Sequence, residues 1–302
     1  MNVRLTVKPM PIGWNEFPFF DSPSLHTKHG TPYLVSAGVA LISKPQTNVA
    51  NLSEFLGGYD ATLNFPQYVE DPTPLPDGAQ VCKIAGQVCY ASYSPKRTMN
   101  ADAERYFDNI RKSGHGSVLE HANYSFILYG TSRSMTHEIV RHRAGMAYSQ
   151  LSQRYVSGSV LRFVERPEYQ NDPELHALFE KRIDGFAADY EAMATALMAR
   201  QKEGSQILSA DAKTDLRKKV QQAARSILPN ETEAPLVMTG NVRAWRHFIE
   251  MRASPHAETE IRAMAFRVYL CLVSSEPLLF GDYRVVTLDD GTNALETDTP
   301  KV

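Results

Sequence analysis

Fifteen consecutive positions, Arg141-His142-Arg143-Ala-Gly-Met-Ala-Tyr148-Ser149-Gln150-Leu151-Ser152-Gln153-Arg154-Tyr155, gather three guanidiniums, an imidazole and two serine hydroxyls without a single carboxylate. Positive charge at that density requires an anionic partner. Between Lys112 and Lys181 there is no lysine, while arginine stands at 133, 141, 143, 154, 162 and 166. A guanidinium gives paired, directed hydrogen bonds to phosphate or carboxylate and stacks on flat rings, whereas lysine is a solvated point charge. An isolated Arg-His-Arg reads equally well as a salt-bridged helix end. The hydroxyl-rich continuation, with neutral and charged donors side by side, points instead to a shaped site for a nucleotide-type anion.

Other reactive side chains offer competing chemistries. His115, His121, His137 and His142 with Glu120 suggest metal ligation and a metal-dependent nucleotide hydrolase. His115 and His121 lack the i, i+4 helical spacing of zinc sites, however, and neighbouring arginines repel a divalent ion, so no metal is expected. Cys89 or Cys271 as a thiolate nucleophile stands far from the arginine run in sequence, which favours chemistry without an enzyme nucleophile. Three cysteines without C-x-x-C spacing read as buried thiols of a reducing compartment. Ser152 has no recognisable base beside it and reads as a phosphate or ring contact. His26, His29, His176 and His256 read as surface or satisfied buried residues.

The elements that must position these groups follow from periodicity. A helix is predicted over Asp102 to Lys112, capped by Asn100, with Tyr106 and Ile110 inward and Gly114 past its end, so that His115 starts a loop. Tyr124, Phe126 and Leu128 alternate in a strand over Asn123 to Tyr129. Ser132 caps a helix carrying Met135, Ile139 and Val140, which delivers Arg141-His142-Arg143 at its C-terminal end, before a turn at Ala144-Gly145. Asp172-Pro173 opens a long helix whose stripe, Leu175, Leu178, Phe179, Ile183, Phe186, Tyr190, Met193 and Leu197, reads as core. Further helices are predicted over about Lys213 to Leu228, Val242 to Met251 and Glu258 to Ser274. Tyr33 to Ser43 reads as one strand inside an N-terminal stretch rich in Pro, Gly, Asn and Asp. Strands first and helices later give an α+β class, with a central, mostly antiparallel sheet and packed helices. The division is residues 1–80 as an extension packed on the core, 81–285 as the main domain and 286–302 as a tail.

Charge and composition narrow the classes further. Thirty-two Lys plus Arg against 34 Asp plus Glu leave a net charge of −2, so no global field draws the chain to nucleic acid, and a non-catalytic RNA-binding role is disfavoured. No apolar run is long enough to cross a bilayer. The first twenty residues lack a secretory apolar region, so a cytoplasmic location is expected, with no membrane partner.

The arginine run resembles the signature of flavin-dependent thymidylate synthases, Arg-His-Arg, seven or eight residues, then Ser; the spacer here, 144–151, has eight. Upstream, His115-Gly116-Ser117 and Glu120-His121 resemble that family's histidine-containing loop. Downstream, Arg225-Ser-Ile-Leu-Pro229 and Asn241-Val-Arg243-Ala-Trp-Arg-His247-Phe-Ile-Glu-Met-Arg252 resemble its two C-terminal motifs. The resemblance runs in family order from about Cys82 to Ser274, and residues 1–80 have no counterpart in it. It implies a homotetramer whose active sites are assembled from several subunits. It further implies reductive methylation of dUMP to dTMP, with methylenetetrahydrofolate giving the carbon, and FAD and NADPH the reduction. Carried over residue by residue, flavin contacts fall on His115, Ser117, Arg141, His142, Arg143, Gln150, Asn241, Arg243 and His247. Contacts with dUMP fall on Glu138, Arg141, Gln150, Leu151, Ser152, Gln153, Arg154, Arg225 and Arg252. Gln150 stands where some members carry glutamate, and His247 where some carry asparagine. Arg252 is the residue implied to activate the pyrimidine by favouring ionisation at its ring N3, a role suited to a guanidinium that cannot give up its charge.

Overall fold

A computed structural model describes residues 18–156, 160–202 and 213–299. Three short strands, β1 (Ser24–His26), β2 (Pro32–Leu34) and β6 (Phe163–Val164), form one small sheet in which β2 pairs antiparallel with β1 and parallel with β6. The main sheet takes β3 (Gly38–Ser43), β4 (Asn123–Tyr129), β5 (Met146–Gln150) and β7 (Leu236–Asn241) in the order β3-β4-β7-β5, all antiparallel. A C-terminal hairpin joins β8 (Arg284–Thr287) to β9 (Asn293–Glu296). Helices α1 (Ser53–Gly57), α2 (Asp77–Val88) and α3 (Ala103–Lys112) precede the sheet's second strand, and α4 (Arg133–Ile139) follows it. Then come α5 (Pro167–Gln170), α6 (Pro173–Lys202), α7 (Lys213–Ala224), α8 (Val242–Arg252), α9 (Thr259–Ser275) and α10 (Pro277–Phe280). The α+β class with antiparallel pairing and packed helices holds.

Alternation decides which face of the main sheet is covered. Tyr124, Phe126 and Leu128 of β4 stand in register with Gly240, Met238 and Leu236 of β7, and all but the glycine enter the core with Trp245, Phe248 and Ile249 of α8 and Met264 and Val268 of α9. The Phe126 and Trp245 rings meet edge to face at 5.1 Å, and Trp245 Nε1 donates to the carbonyl of Tyr124 at 3.2 Å. The opposite face, carrying Ser125, Ile127, Thr239, Ala147 and Ser149, is not covered to the same degree: Ile127, Ala147 and Ser149 are exposed. One buried and one open face is the usual state of an antiparallel sheet that meets helices on one side.

Two polar contacts lock distant parts of the chain. Buried Glu276, just before α10, accepts from the backbone N–H groups of Gly78 (2.8 Å) and Ala79 (3.0 Å), satisfying the first turn of α2. Arg246, only 1% exposed, projects from the back of α8 and gives two parallel hydrogen bonds to Asp282, at 2.7 and 2.8 Å, plus one to the carbonyl of Leu279. Asp282 in turn accepts from the hydroxyls of Thr297 and Thr299, so α8 is tied to the end of the C-terminal hairpin.

Several expectations need correcting. Tyr33 to Ser43 is not one strand: β2 and β3 belong to different sheets, and the chain re-enters the main sheet at Gly38, where an added Cβ would lie 2.2 Å from the Tyr129 ring. An apolar run gives no sign of such a break. Asn100 does not cap α3. It is buried, accepts from Lys83 Nζ at 2.7 Å and donates to the carbonyl of Thr73 at 2.8 Å, so the helix begins after a 3-10 turn at Asn100–Asp102. Ser132 does cap α4, its hydroxyl accepting from Met135 N at 3.0 Å, but Val140 is exposed rather than core. The α6 stripe is only half core: Phe179, Ile183 and Tyr190 are buried, while Leu175, Leu178 and Met193 remain 41%, 55% and 44% exposed. The predicted helix to Leu228 stops at Ala224 and continues as a 3-10 turn, Arg225–Ile227. Cys82 and Cys271 are buried thiols, but Cys89 is exposed. Strands do not all come first, since β7, in the middle of the sheet, follows the long helices. The leader reading of the first twenty residues falls, for 1–17, outside the described residues. Among the described residues no helix is long and apolar enough to cross a membrane.

Candidate active site

Ser132 starts the construction, because its N–H and hydroxyl both donate to buried Glu260, at 2.7 Å each, while the same hydroxyl caps α4. Burial pushes the Glu260 carboxyl up, and the Ser132 bonds oppose that. Helix α4 closes at Val140, and Arg141-His142-Arg143 lies in the turn beyond it rather than in the helix. The chain reverses at Ala144-Gly145 with Gly145 at φ +69°. A Cβ there would lie 2.7 Å from Asn241 Nδ2 and 3.0 Å from Ala244 Cβ, so glycine is required both by backbone conformation and by close approach to α8. Strand β5 then leaves this turn, and Tyr148 on it donates its hydroxyl to the carbonyls of His142 and, at 3.2 Å, Ile139.

Asn241 ends β7 and caps α8, its side-chain oxygen accepting from Ala244 N at 2.9 Å. Spacing along α8 then presents Arg243 and His247 one turn apart, with Arg252 on the last turn, while Trp245, Phe248 and Ile249 face the core. Arg252 reaches back to α4 and the turn after it. Its Nε donates to His142 Nε2 at 2.9 Å, its Nη1 to Glu138 Oε2 at 2.9 Å and its Nη2 to the Glu138 carbonyl at 3.3 Å. The His142 ring sits edge to face on Phe248 at 5.2 Å and lies 5.5 Å from His247. Burial, then the Arg252 charge, then His247 push the His142 imidazole down to about 4, so it is neutral at ordinary pH.

The predicted residues do not converge in one cavity of this chain. Asn241, Arg243 and His247 line a cleft of about 330 Å3 with Ala144, Gly145 and Glu120, and Arg243 donates to Glu120 Oε1 at 2.6 Å. His115 and Ser117 line a separate hollow of about 410 Å3, together with Cys89, Tyr90, Lys96 and Tyr106. The two share the 3-10 turn Gly116–Glu120. Gln150, Leu151, Ser152, Gln153 and Arg154 run off the end of β5. Gln150 and Gln153 each bury an amide nitrogen without an acceptor among the described residues, Ser152 Oγ accepts from Arg154 N at 3.3 Å, and the Leu151 N–H is bound to the Pro235 carbonyl at 2.9 Å. Arg225 stands on the 3-10 turn after α7. Among the described residues, Arg141, Arg143 and Arg225 have no acceptor for their guanidiniums, and Arg154 is exposed against the Tyr155 ring at 5.6 Å.

Sequence reasoning missed three contributors. Exposed Tyr155 is flanked by Arg154 and, from α7, by Lys218 Nζ at 5.5 Å from its ring. The tyrosine closes the run and was a usable signal; Lys218 had none. Tyr148 was legible only as part of the run and not as its brace. Glu120, weighed earlier as a metal ligand, is engaged by Arg243, and among the described residues no group of three or more His, Cys, Asp or Glu is placed to hold a metal ion.

Residues 71–277 match the family model described as thymidylate synthase complementing protein. The chain is 44% identical over 227 residues to the flavin-dependent thymidylate synthase of Mycolicibacterium gilvum (strain PYR-GCK), spanning 75% of this chain and 88% of that one. It is 43% identical over 237 residues to the protein of that name from Mycobacterium sp. (strain JLS), spanning 77% and 90%. With the one from Mycobacteroides abscessus it shares 42% over 227 residues, spanning 75% and 88%. Capped α4, the glycine-tight turn against α8 and the matched span describe one assembly, and the chain belongs to the flavin-dependent thymidylate synthase family.

Proposed function

We infer that this protein is a flavin-dependent thymidylate synthase that converts dUMP to dTMP, with methylenetetrahydrofolate as carbon donor and NADPH as reductant. The observation that carries the reading is the arginine set: three guanidiniums without an acceptor among the described residues, and a fourth, Arg252, held by Glu138 and His142 at the end of α8. The residues present fit FAD. Gly145 lines the cleft with Asn241, Arg243 and His247, Arg141 and Arg143 have no acceptor among the described residues and present forks suited to a pyrophosphate, and Gln150 holds a buried amide nitrogen without a partner among them. When bound, FAD supplies redox chemistry that no side chain here has. The chain's own residues bind, orient and polarise: Asn241, Arg243, His247, His115 and Ser117 on the flavin side, and Gln150 to Arg154 with Arg225 on the dUMP phosphate and ring. Arg252 stabilises the negative charge that develops when the pyrimidine N3–H ionises.

We further propose a homotetramer with shared active sites, in the cytoplasm. In its support, flavin-side residues divide between two cavities of one chain, the outer face of the main sheet is open, and α6 leaves Leu175, Leu178 and Met193 uncovered. The proposed division is residues 81–285 as the synthase domain, 1–80 as an extension whose described part, from residue 18, lends β3 to the main sheet, and 286–302 as a tail.

Purified protein is expected to bind FAD, to lose the flavin absorption band on addition of NADPH, and to form dTMP from dUMP and methylenetetrahydrofolate. A colourless protein that takes up no added FAD refutes the reading. Shared sites are tested by co-expressing His115→Ala and Arg252→Ala subunits. Mixed tetramers are expected to regain activity that neither variant has alone, and none at all would sink the sharing. Gly145→Ala is expected to lower stability by about 1–2 kcal/mol through the left-handed backbone alone. It should also lower flavin occupancy, because the methyl displaces Asn241. Urea midpoints and flavin-to-protein absorbance ratios measure the two effects.

A further inference from the structure

His142 stands in the flavin set by resemblance, yet in the folded chain its contact is with the pyrimidine-activating residue. Arg252 Nε donates to His142 Nε2 at 2.9 Å, across 110 positions of sequence. An arginine does not give up its proton at working pH, so the direction of this bond is fixed: Nε2 accepts, and His142 must be neutral with its proton on Nδ1. The imidazole cannot turn freely, being set against Phe248, beside His247 and on a turn whose carbonyl is held by the Tyr148 hydroxyl. Its low proton affinity, from burial, the Arg252 charge and His247, agrees with that state. Glu138 from α4 also faces this pair.

We propose that His142 is the positioning residue of Arg252, holding the guanidinium through Nε2 while keeping Nδ1–H as a donor for the ligand bound beside it. The proposal rests on the reading above that Arg252 faces the pyrimidine. The arithmetic of donors gives it chemical content. A guanidinium has five N–H groups; one on Nε goes to His142, one on Nη1 to the Glu138 carboxylate and one on Nη2 to the Glu138 carbonyl. Two remain, one on each terminal nitrogen, as a fork for an ionised ring nitrogen and an adjacent carbonyl oxygen. Without the Nε anchor the side chain keeps only the Glu138 bonds and can rotate about them, and the fork loses its aim. His142 thereby joins the two halves of the site: one ring nitrogen sets the arginine on the pyrimidine side, and the other, with no acceptor among the described residues, is left for the flavin side.

The test compares His142→Gln, His142→Asn and His142→Ala in the full-length, FAD-loaded enzyme. A glutamine amide oxygen reaches the place of Nε2 and can accept from Arg252, whereas asparagine reaches only the place of Nδ1. With isotope-labelled arginine, the Arg252 Nε–H resonance, assigned by its disappearance in Arg252→Lys, is expected to keep its position in the Gln variant. It should move to that of a solvated arginine in the Asn and Ala variants. Turnover is expected to fall about a hundredfold in Asn and Ala and no more than about tenfold in Gln, with KM for dUMP changing less than kcat. An Nε–H resonance that His142→Ala does not move, or a Gln variant as slow as the Ala variant, overturns the proposal. Should the starting protein neither bind FAD nor make dTMP, the proposed function fails instead. The resonance still reads the Arg252–His142 pairing in that case, so the two failures are separable.

Discussion

Arg252→Ala is expected to lower dTMP formation by about a hundred- to a thousandfold, the range for removing one donor aimed at developing charge, while FAD stays bound. The reason lies in where the side chain sits. It leaves the last residue of α8, on the same side as Trp245 and Phe248 but beyond them at the helix end, and those two with Ile249 already bury the helix in the core, so the helix does not need Arg252 to form. Its partners, Glu138 and His142, belong to α4 and the turn after it and lose a donor without losing their own supports. The loss therefore falls on kcat, not on folding or on the flavin-to-protein ratio. Arg252→Lys keeps the charge but presents one compact ammonium in place of a planar fork, so it should recover little. Turnover and flavin absorbance measured on the same preparation decide the matter. Turnover near that of the starting enzyme would remove Arg252 from the mechanism, and flavin loss matching the turnover loss would make it a flavin residue.

The largest stability effect is expected from Asp282→Ala, at about 3–5 kcal/mol, the usual result of stranding one member of a buried ion pair. Arg246 is almost wholly enclosed and cannot find water once its partner is gone. Burial by itself pushes the Asp282 carboxyl up, but the Arg246 hydrogen bonds and charge, with Thr297 and Arg111, outweigh it and hold the group down at about 2. A carboxylate depressed in the folded state contributes stability that is whole above its unfolded value near 4 and is lost as pH falls through about 2. Urea unfolding is therefore expected to show an acid limb in that window for the starting protein and a flatter one for the variant. The deletion exceeds the titration in size, because a protonated aspartate still accepts hydrogen bonds and alanine accepts none. Equal acid limbs in the two proteins would show that the pair does not carry the effect.

How much of this was legible in the sequence depended on whether a signal was local. β4 was readable because one side of it meets the core and the other does not, and α8 and α9 were readable from their stripes and stops. Strand β5 was hidden in plain view: Met146 to Gln150 alternates inward and outward, but its polar members drew attention as ligand donors. β7, Leu236–Asn241, is short and lies at the centre of the sheet, where its partners are more than eighty positions away. The α6 stripe misled because an apolar face in one chain does not say what covers it. For the site, the arginine run and the α8 motif declared themselves by chemistry clustered in sequence. The joining of Arg252 to Glu138 and His142, more than a hundred positions apart, is tertiary and leaves no local trace.

The carboxylate of Glu276 that closes the first turn of α2 lies 198 positions from the Gly78 it serves. A bond across so much chain forms only after the intervening segments have condensed, since the loop it closes is among the longest this protein makes. On a ribosome, α2 emerges long before residue 276 does, and until then its opening N–H groups lack the carboxylate that closes them. Leu279, Phe280, Tyr283 and Leu295, which follow Glu276, join the same core, so the helix that opens early and the core it belongs to close together, late in synthesis.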